Sequence, residues 1–555
     1  MRKMALVTCL MMTMALLASC GSSENRPDPL AVYENQTLAW QTCSENLIFR
    51  DALGESNIEL IKKLEDRAKC AFMRAPLDYN DPSKGDVQIA LLRVSAEDSQ
   101  QRLGAIMFNP GGPGADGLYL SLVFGNQWKN AQVSDPDIKA LYKQMSQSYD
   151  LVGFSPRGTG ASTNLTCTSD KLFAFEASIT VNDSQANWDN ILYNSRLTAE
   201  ICSKNPQTPY MNSESTARDM DLMRHLLGDS KFNYIGFSYG TWLGTWYAGL
   251  YPERVGRMML VGNTDVTAPL NNILLQQGMG DQRVIDQVLV PYAINNPSFR
   301  LGSTTKEVKQ AYLSFRTLPG YLLATTIEKL PISDSSKADT SLLYLRAAQM
   351  MQEYISVNPN ADEATVKQWI NATQFVDDVL NTQARALAID LNKGYFDKVN
   401  QVTKPKSAVL TGKDALMWAV SCNDSGSSFG VDDWISENRI SAILYPLYGG
   451  FLVRNACLYW GAPTVRRPPI EAVVGAGNIL MLQSEFDPWT PVEGAMKTFT
   501  SLPNTSMILV QGEYTHALHI PYGLDCIDKP VAEYFLYGKQ PQRLTKCAGI
   551  PLAAD

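Results

Sequence analysis

The chain has 555 residues, 45% of them hydrophobic and 19% charged, an ordinary globular composition with room for several domains or one large domain carrying a big insertion. A net charge of −8 and a pI near 5.2 leave no global basic footprint, which argues against nucleic acid as a partner. Three histidines and no C-x-x-C argue against a zinc site, and no cofactor is expected.

Residues 1–20 read as a secretory leader. Arg2 and Lys3 form a positive start, and Met4 to Ala18 is an apolar run too short to span a bilayer as a stable helix. Leu17-Ala18-Ser19-Cys20 resembles the bacterial lipobox, whose cysteine becomes the lipidated first residue. This predicts an exported protein held to the bacterial cell envelope through Cys20; the alternative is an ordinary signal peptide with an incidental cysteine. Residues 21–85 read as a tether and an N-terminal appendage, with 35–70 mostly helical and 75–86 rich in turns. Setting Cys9 and Cys20 aside leaves Cys43, Cys70, Cys167, Cys202, Cys422, Cys457, Cys526 and Cys547. An even count in an exported chain suggests four disulfides whose connectivity the sequence leaves open. Nearest-neighbour pairing is the simplest, because each loop is then local.

Strand-like and helical segments alternate across residues 86–265, the pattern of a mostly parallel sheet with helices on both faces. Val87 to Val94, Ala105 to Phe108, Tyr149 to Phe154, Phe232 to Ile235 and Arg257 to Val261 are the expected strands. The second runs into Asn109-Pro110-Gly111-Gly112-Pro113-Gly114, a stiff loop with bare backbone that can present N–H groups to an anion. Arg157, in Ser155-Pro156-Arg157-Gly158, reads as a structural residue bonding loop carbonyls and carboxylates, with a substrate clamp as the rival. Ser213 to Leu227 is an amphipathic helix that Ser215 or Thr216 could cap.

After Phe232 to Ile235 comes Gly236-Phe237-Ser238-Tyr239-Gly240, which fits G-x-S-x-G between a strand and an apolar helix. That context makes Ser238 the candidate nucleophile, held on a sharp turn with its side chain outward. The N–H groups of Gly112 (Gly111 being the near rival) and of Tyr239 are the candidate oxyanion donors. Residues 266–460 read as largely helical, a cap over the C-terminal edge of the sheet, and 461–555 return to the alternating pattern. There Ile479 to Gln483 leads to Asp487, and Ser506 to Val510 leads to His516 and His519.

A serine hydroxyl needs a base within reach, and the base needs a carboxylate to fix its tautomer. His225 sits on the helix entering the central strand and cannot easily reach the turn. His516 is preferred to His519 because it comes first on the loop, and Asp487 to Glu485. The order Ser238, Asp487, His516 is that of the α/β-hydrolase fold.

Together these residues resemble the tripeptidyl aminopeptidase group of secreted α/β-hydrolases, related to prolyl aminopeptidases. The resemblance rests on N-P-G-G-P-G at 109–114, D-L-V-G-F-S-P-R-G-T-G at 150–160, A-R-D-M-D-L-M-R-H-L-L-G at 217–228 and Y-I-G-F-S-Y-G-T at 234–241. It extends through A-V-S-C-N-D at 419–424, C-L-Y-W at 457–460, S-E-F-D-P-W-T-P at 484–491 and the terminal segment with Cys526 and Cys547. Ser155, Val261 and Thr515 depart from the group, which usually has Asp, Asp and Gly there. The resemblance implies an exopeptidase that takes peptides as substrates and releases short N-terminal pieces, possibly tripeptides. An esterase or amidase with the same machinery, and a binding lipoprotein without activity, are the rival expectations.

Overall fold

The computed structural model describes residues 28–326, 332–403, 406–450, 453–477 and 479–552. The expected leader, and Cys20 with it, lie outside the described residues. In chain order the strands are β1 (Ala68–Pro76), β2 (Asp86–Val94), β3 (Gly104–Asn109), β4 (Tyr149–Phe154), β5 (Thr166–Leu172), β6 (Phe232–Phe237), β7 (Val255–Val261), β8 (Ser407–Thr411), β9 (Ile479–Ser484), β10 (Thr505–Gln511) and β11 (Leu544–Ala548). Nine of them form one sheet in the order β1-β2-β4-β3-β6-β7-β9-β10-β11. β2 pairs antiparallel with β1 and with β4, and the other neighbours run parallel. Every residue of β3, β4, β6 and β9 is buried, as a parallel sheet covered on both faces requires. Separate apolar clusters lie against the two faces, one around Trp242, Leu243 and Trp246, the other around Phe124, Trp128 and Phe535.

The mainly helical region between β7 and β9 has a core of its own, built on Val284, Leu289, Leu342, Leu345, Met351 and Leu391. A second piece of chain joins it from inside residues 86–265. β5 pairs antiparallel with β8, Ser178 Oγ donates to Gly450 O at 3.0 Å, and Arg454 Nε donates to Glu176 at 2.8 Å. The segment lies between two sheet strands in sequence, so its chain position hides the layer it packs in.

Two local expectations are corrected. Helix in the N-terminal appendage comprises Ala31–Glu34 and Leu47–Leu64 with short 3₁₀ turns at Cys43–Glu45 and Glu65–Arg67, and the chain becomes β1 by Ala68, carrying Cys70 in the strand. Lys69-Cys70-Ala71-Phe72-Met73 has weak strand propensity, so pairing with β2 decides its conformation. β11 is likewise made by pairing with β10. The helix Ser213–Leu226 is capped by Asn212, whose side chain accepts from Ser215 N at 2.8 Å; Ser215 and Thr216 fall inside its first turn. Four disulfides join Cys43 to Cys70, Cys167 to Cys202, Cys422 to Cys457 and Cys526 to Cys547, the nearest-neighbour pattern.

Arg157 ties the loop after β4 to its surroundings. It is fully buried, forks onto Asp219 with bonds of 2.6 and 2.7 Å, and donates to Leu77 O at 2.9 Å and Pro76 O at 3.1 Å. It is a structural residue, away from the cleft. Arg157→Met should therefore lower unfolding free energy by ~3–5 kcal/mol, because the Asp219 carboxylate is left buried without its cation. Adding Asp219→Leu should recover most of that loss, as measured by urea unfolding.

Candidate active site

β6 ends at Phe237 and the helix Tyr239–Leu250 starts immediately, so one residue must carry the whole reversal. That residue is Ser238, with φ 55° and ψ −122°, a conformation that costs about 1–3 kcal/mol for a residue with a side chain. The flanking glycines leave no alternative. A Cβ on Gly236 would lie 2.4 Å from Gly240 O, and one on Gly240 would lie 2.7 Å from Asn109 O. Ser238 N donates to Val261 O at 2.9 Å, which pins the turn to the end of β7.

The glycine-rich loop after β3 presses against this turn. A Cβ on Gly111 would stand 2.6 Å from Phe237 O and 2.9 Å from Ser238 Cβ. Gly111 N–H is already donated to Asn109 Oδ1 at 3.0 Å, whereas Gly112 N–H and Tyr239 N–H find no acceptor among the described residues. This separates the two glycines that the sequence left as rivals. Gly112, Ser238 and Tyr239 line a cavity of about 320 Å³ whose far wall, with Leu274, Trp418 and Val453, comes from the helical region.

Asp487 follows β9 and His516 follows β10, and parallel pairing of these strands brings the two loops together. His516 Nδ1 lies 2.8 Å from Asp487 Oδ1 and 3.0 Å from Oδ2. Asp487 is fully buried and accepts from Trp489 N at 3.0 Å and Thr490 N at 2.8 Å, so its charge and orientation are held by backbone. The Trp489 ring packs 5.0 Å from the imidazole, and His516 Nε2 makes no hydrogen bond among the described residues. Glu485 instead accepts from Gly512 N at 2.8 Å. His519 packs against the rings of Phe124 and Phe237, where burial lowers its pKa. His225 is exposed on its helix.

The turn bearing Ser238 and the loops bearing Asp487 and His516 both pack on the end of β7. A Cβ on Gly262 would lie 3.2 Å from each of Asp487 Oδ2, Thr490 Oγ1 and Ala517 N, while the preceding Val261 O holds Ser238 N. Ser155 and Thr515, two of the departures noted in the sequence, both carry bonds: Ser155 Oγ donates to Asp116 Oδ1 at 2.9 Å, and Thr515 Oγ1 accepts from Ser335 N at 2.9 Å.

One residue at the site escaped sequence reasoning. Asp424, on the cap helix Lys413–Ser425, accepts from Ser213 N at 2.8 Å and Trp242 Nε1 at 2.9 Å, and also from Ser213 Oγ. Ser213 Oγ is in turn 2.7 Å from Tyr239 OH, so the cap is bonded to the residue beside Ser238. The only signal was the A-V-S-C-N-D segment, which drew notice for its cysteine.

The fold and site define a serine hydrolase of the α/β class. Residues 104–355 match the alpha/beta hydrolase fold family, and residues 445–547 match the family described as TAP-like protein. The chain is 27% identical over 509 residues to tripeptidyl aminopeptidase of Streptomyces lividans, covering 86% of this chain and 83% of that one. It is 25% identical over 507 residues to serine protease Hip1 of Mycobacterium tuberculosis, covering 87% and 88%. Carboxylesterase B of the same organism is 27% identical over 492 residues, covering 87% and 86%. The chain is thus similar, along most of its length, to tripeptidyl aminopeptidase-like α/β-hydrolases.

Burial pushes the Asp424 carboxyl up from 3.8 to about 6, outweighing the Ser213 and Trp242 bonds that lower it. The unfolded chain thus releases this proton near pH 4 and the folded one near pH 6. Between those values the folded state binds more protons, so the contribution of Asp424 to stability falls as pH rises, by ~3 kcal/mol in total. Asp424→Asn lacks this titration. The stability difference between wild type and variant should shift by about that amount against wild type from pH 4 to pH 7, measured by urea unfolding.

Proposed function

We propose that the protein is a serine exopeptidase that releases short peptides, tripeptides among them, from free N-termini through an acyl-enzyme. The observation that supports this reading is the bonded His516–Asp487 pair on loops that pack, with the Ser238 turn, on the end of β7, where Ser238 lines a cleft walled by the helical region. Ser238 Oγ attacks the scissile carbonyl as His516 Nε2 takes its proton, and Asp487 holds the tautomer and steadies the imidazolium. Gly112 and Tyr239 N–H receive the oxyanion. His516 then passes the proton to the leaving amine, and water, activated by the same imidazole, hydrolyses the acyl-enzyme. The roof of cap residues leaves a peptide one confined direction to lie in, which favours removal of a short terminal piece over cleavage inside a chain. The relatives named tripeptidyl aminopeptidase and serine protease support peptide as the substrate class.

The relative named carboxylesterase B favours a second reading, ester or amide hydrolysis on small molecules. Peptide anilides with a free or acetylated amino end, compared with simple aryl esters, separate the two. The expected outcome is turnover concentrated on free-amino peptides, whereas turnover confined to esters or acetylated peptides refutes the exopeptidase. Ser238→Ala should abolish fluorophosphonate labelling and lower kcat by roughly a million-fold.

We also propose that the chain is exported and anchored to the bacterial envelope by acyl chains on Cys20, so that its substrates are peptides arriving there. Cys20→Ser should move the protein from the membrane to the soluble fraction and abolish incorporation of radiolabelled palmitate. Full palmitate labelling of that variant refutes the anchor.

A further inference from the structure

Within the cleft lies a carboxylate that has no ion-pair partner among the described residues. Asp281, on the helix Ile273–Val284, is 8% exposed, and its Oδ1 has no hydrogen-bond partner among those residues. It lines a cavity of about 290 Å³ together with Trp489, the residue packed on His516, and Tyr312, whose buried hydroxyl also lacks a partner. This cavity shares Ser178, Leu274, Gln277 and Tyr321 with the one that holds Ser238 and Gly112, so the two adjoin. The helix is seated tightly: a Cβ on Gly280 would fall 2.1 Å from Pro488 O, which fixes Asp281 against the loop bearing Asp487.

Cations nearby are engaged elsewhere. Arg283 pairs with Glu493, and Arg316, which lines the same cavity, donates to Thr180 O at 3.3 Å. The acid in the Ser238 half of the cleft, Glu176, is already neutralised by Arg454 at 2.8 Å and bonded by Asn194 at 2.7 Å. Burial, and then the Asp487 charge, push the Asp281 carboxyl well above the usual carboxylate range. A buried acid in this state gains from any cation delivered to it, because opposite charges attract strongly out of water.

We propose that Asp281 receives the α-ammonium group of the substrate, with Tyr312 Oη as a second acceptor, and that the stretch of cleft from Asp281 to Ser238 sets how many residues are released. This rests on the exopeptidase reading above. It explains recognition of a free amino end without a metal or a surface charge. A peptide with its amino end inside this closed arm presents its carbonyls in turn toward Ser238, and the one that reaches Gly112 N–H is cleaved. An acetylated end leaves Asp281 unpaired.

The test is the ratio of kcat/KM for a free-amino tripeptide anilide to that for its acetylated counterpart, in wild type and in Asp281→Asn. The expected result is a wild-type preference that falls by about 100-fold in the variant, the size of effect found on truncating one partner of a buried charge pair, and falls mainly through KM. Asp281→Ser, which is smaller, is read in the same way should the amide fold poorly. The rate of fluorophosphonate labelling is followed in parallel. A variant that keeps the preference overturns the assignment of Asp281 and leaves the exopeptidase reading intact. A loss of labelling equal to the loss of peptidase activity also overturns it, since Asp281 would then act on the serine through Asp487. A wild type with no preference for the free amino end overturns the exopeptidase reading and this inference together.

Discussion

The geometry of the site depends on one backbone constraint, the reversal at Ser238 between β6 and the helix that follows. A serine at φ 55° is held there only because its surroundings over-determine it. Gly236 and Gly240 remove the side chains that would force the turn open, Val261 O takes its N–H, and Thr241 Oγ1 donates to Ser238 O at 2.7 Å. The same turn places Tyr239 N–H at the start of a helix, where backbone donors have no carbonyl to meet and the dipole favours negative charge. Nucleophile and oxyanion donor are thus two consequences of one bend, and the loop at Gly111 and Gly112 completes it by packing directly on that bend.

Three buried carboxylates surround this turn, and they differ in how they are satisfied. Asp487 accepts two backbone N–H groups and faces the imidazole, so its orientation beside His516 is fixed. Asp424 accepts from Ser213 and Trp242 and binds the cap to the elbow helix, but at a cost in desolvation that raises its carboxyl to about 6. Asp281 Oδ1 has no hydrogen-bond partner among the described residues.

The cap does more than cover the sheet. Its residues Leu274, Trp418 and Val453 make the far wall of the cleft, and its Asp424 reaches the residue next to Ser238. The segment Thr166 to Cys202 is stitched to it by the β5–β8 ladder and by Arg454 on Glu176, so the roof of the site is assembled from two distant stretches of chain. A roof built in two pieces fixes the cleft's depth from both sides, which is the property a length-measuring site needs.

The sequence by itself determined strands β2, β3, β4, β6, β7, β9 and β10, Ser238 on its glycine-flanked turn, and the short list from which Asp487 and His516 were drawn. These follow from local rules: buried parallel strands are continuous apolar runs, a strand-to-helix reversal demands glycine, and three histidines leave few choices of base. It also suggested the disulfide pairs, because each loop is short. Only the tertiary structure decided that His516 and not His519 meets Asp487 and that Gly112 is the glycine with a free N–H. It alone made strands of Ala68–Pro76 and Leu544–Ala548, carried Thr166 to Cys202 into the cap, and placed Asp424 and Asp281 in the site. Those outcomes rest on pairing and burial between residues far apart in the chain, and neither propensity nor periodicity registers a contact before the chain has closed on itself.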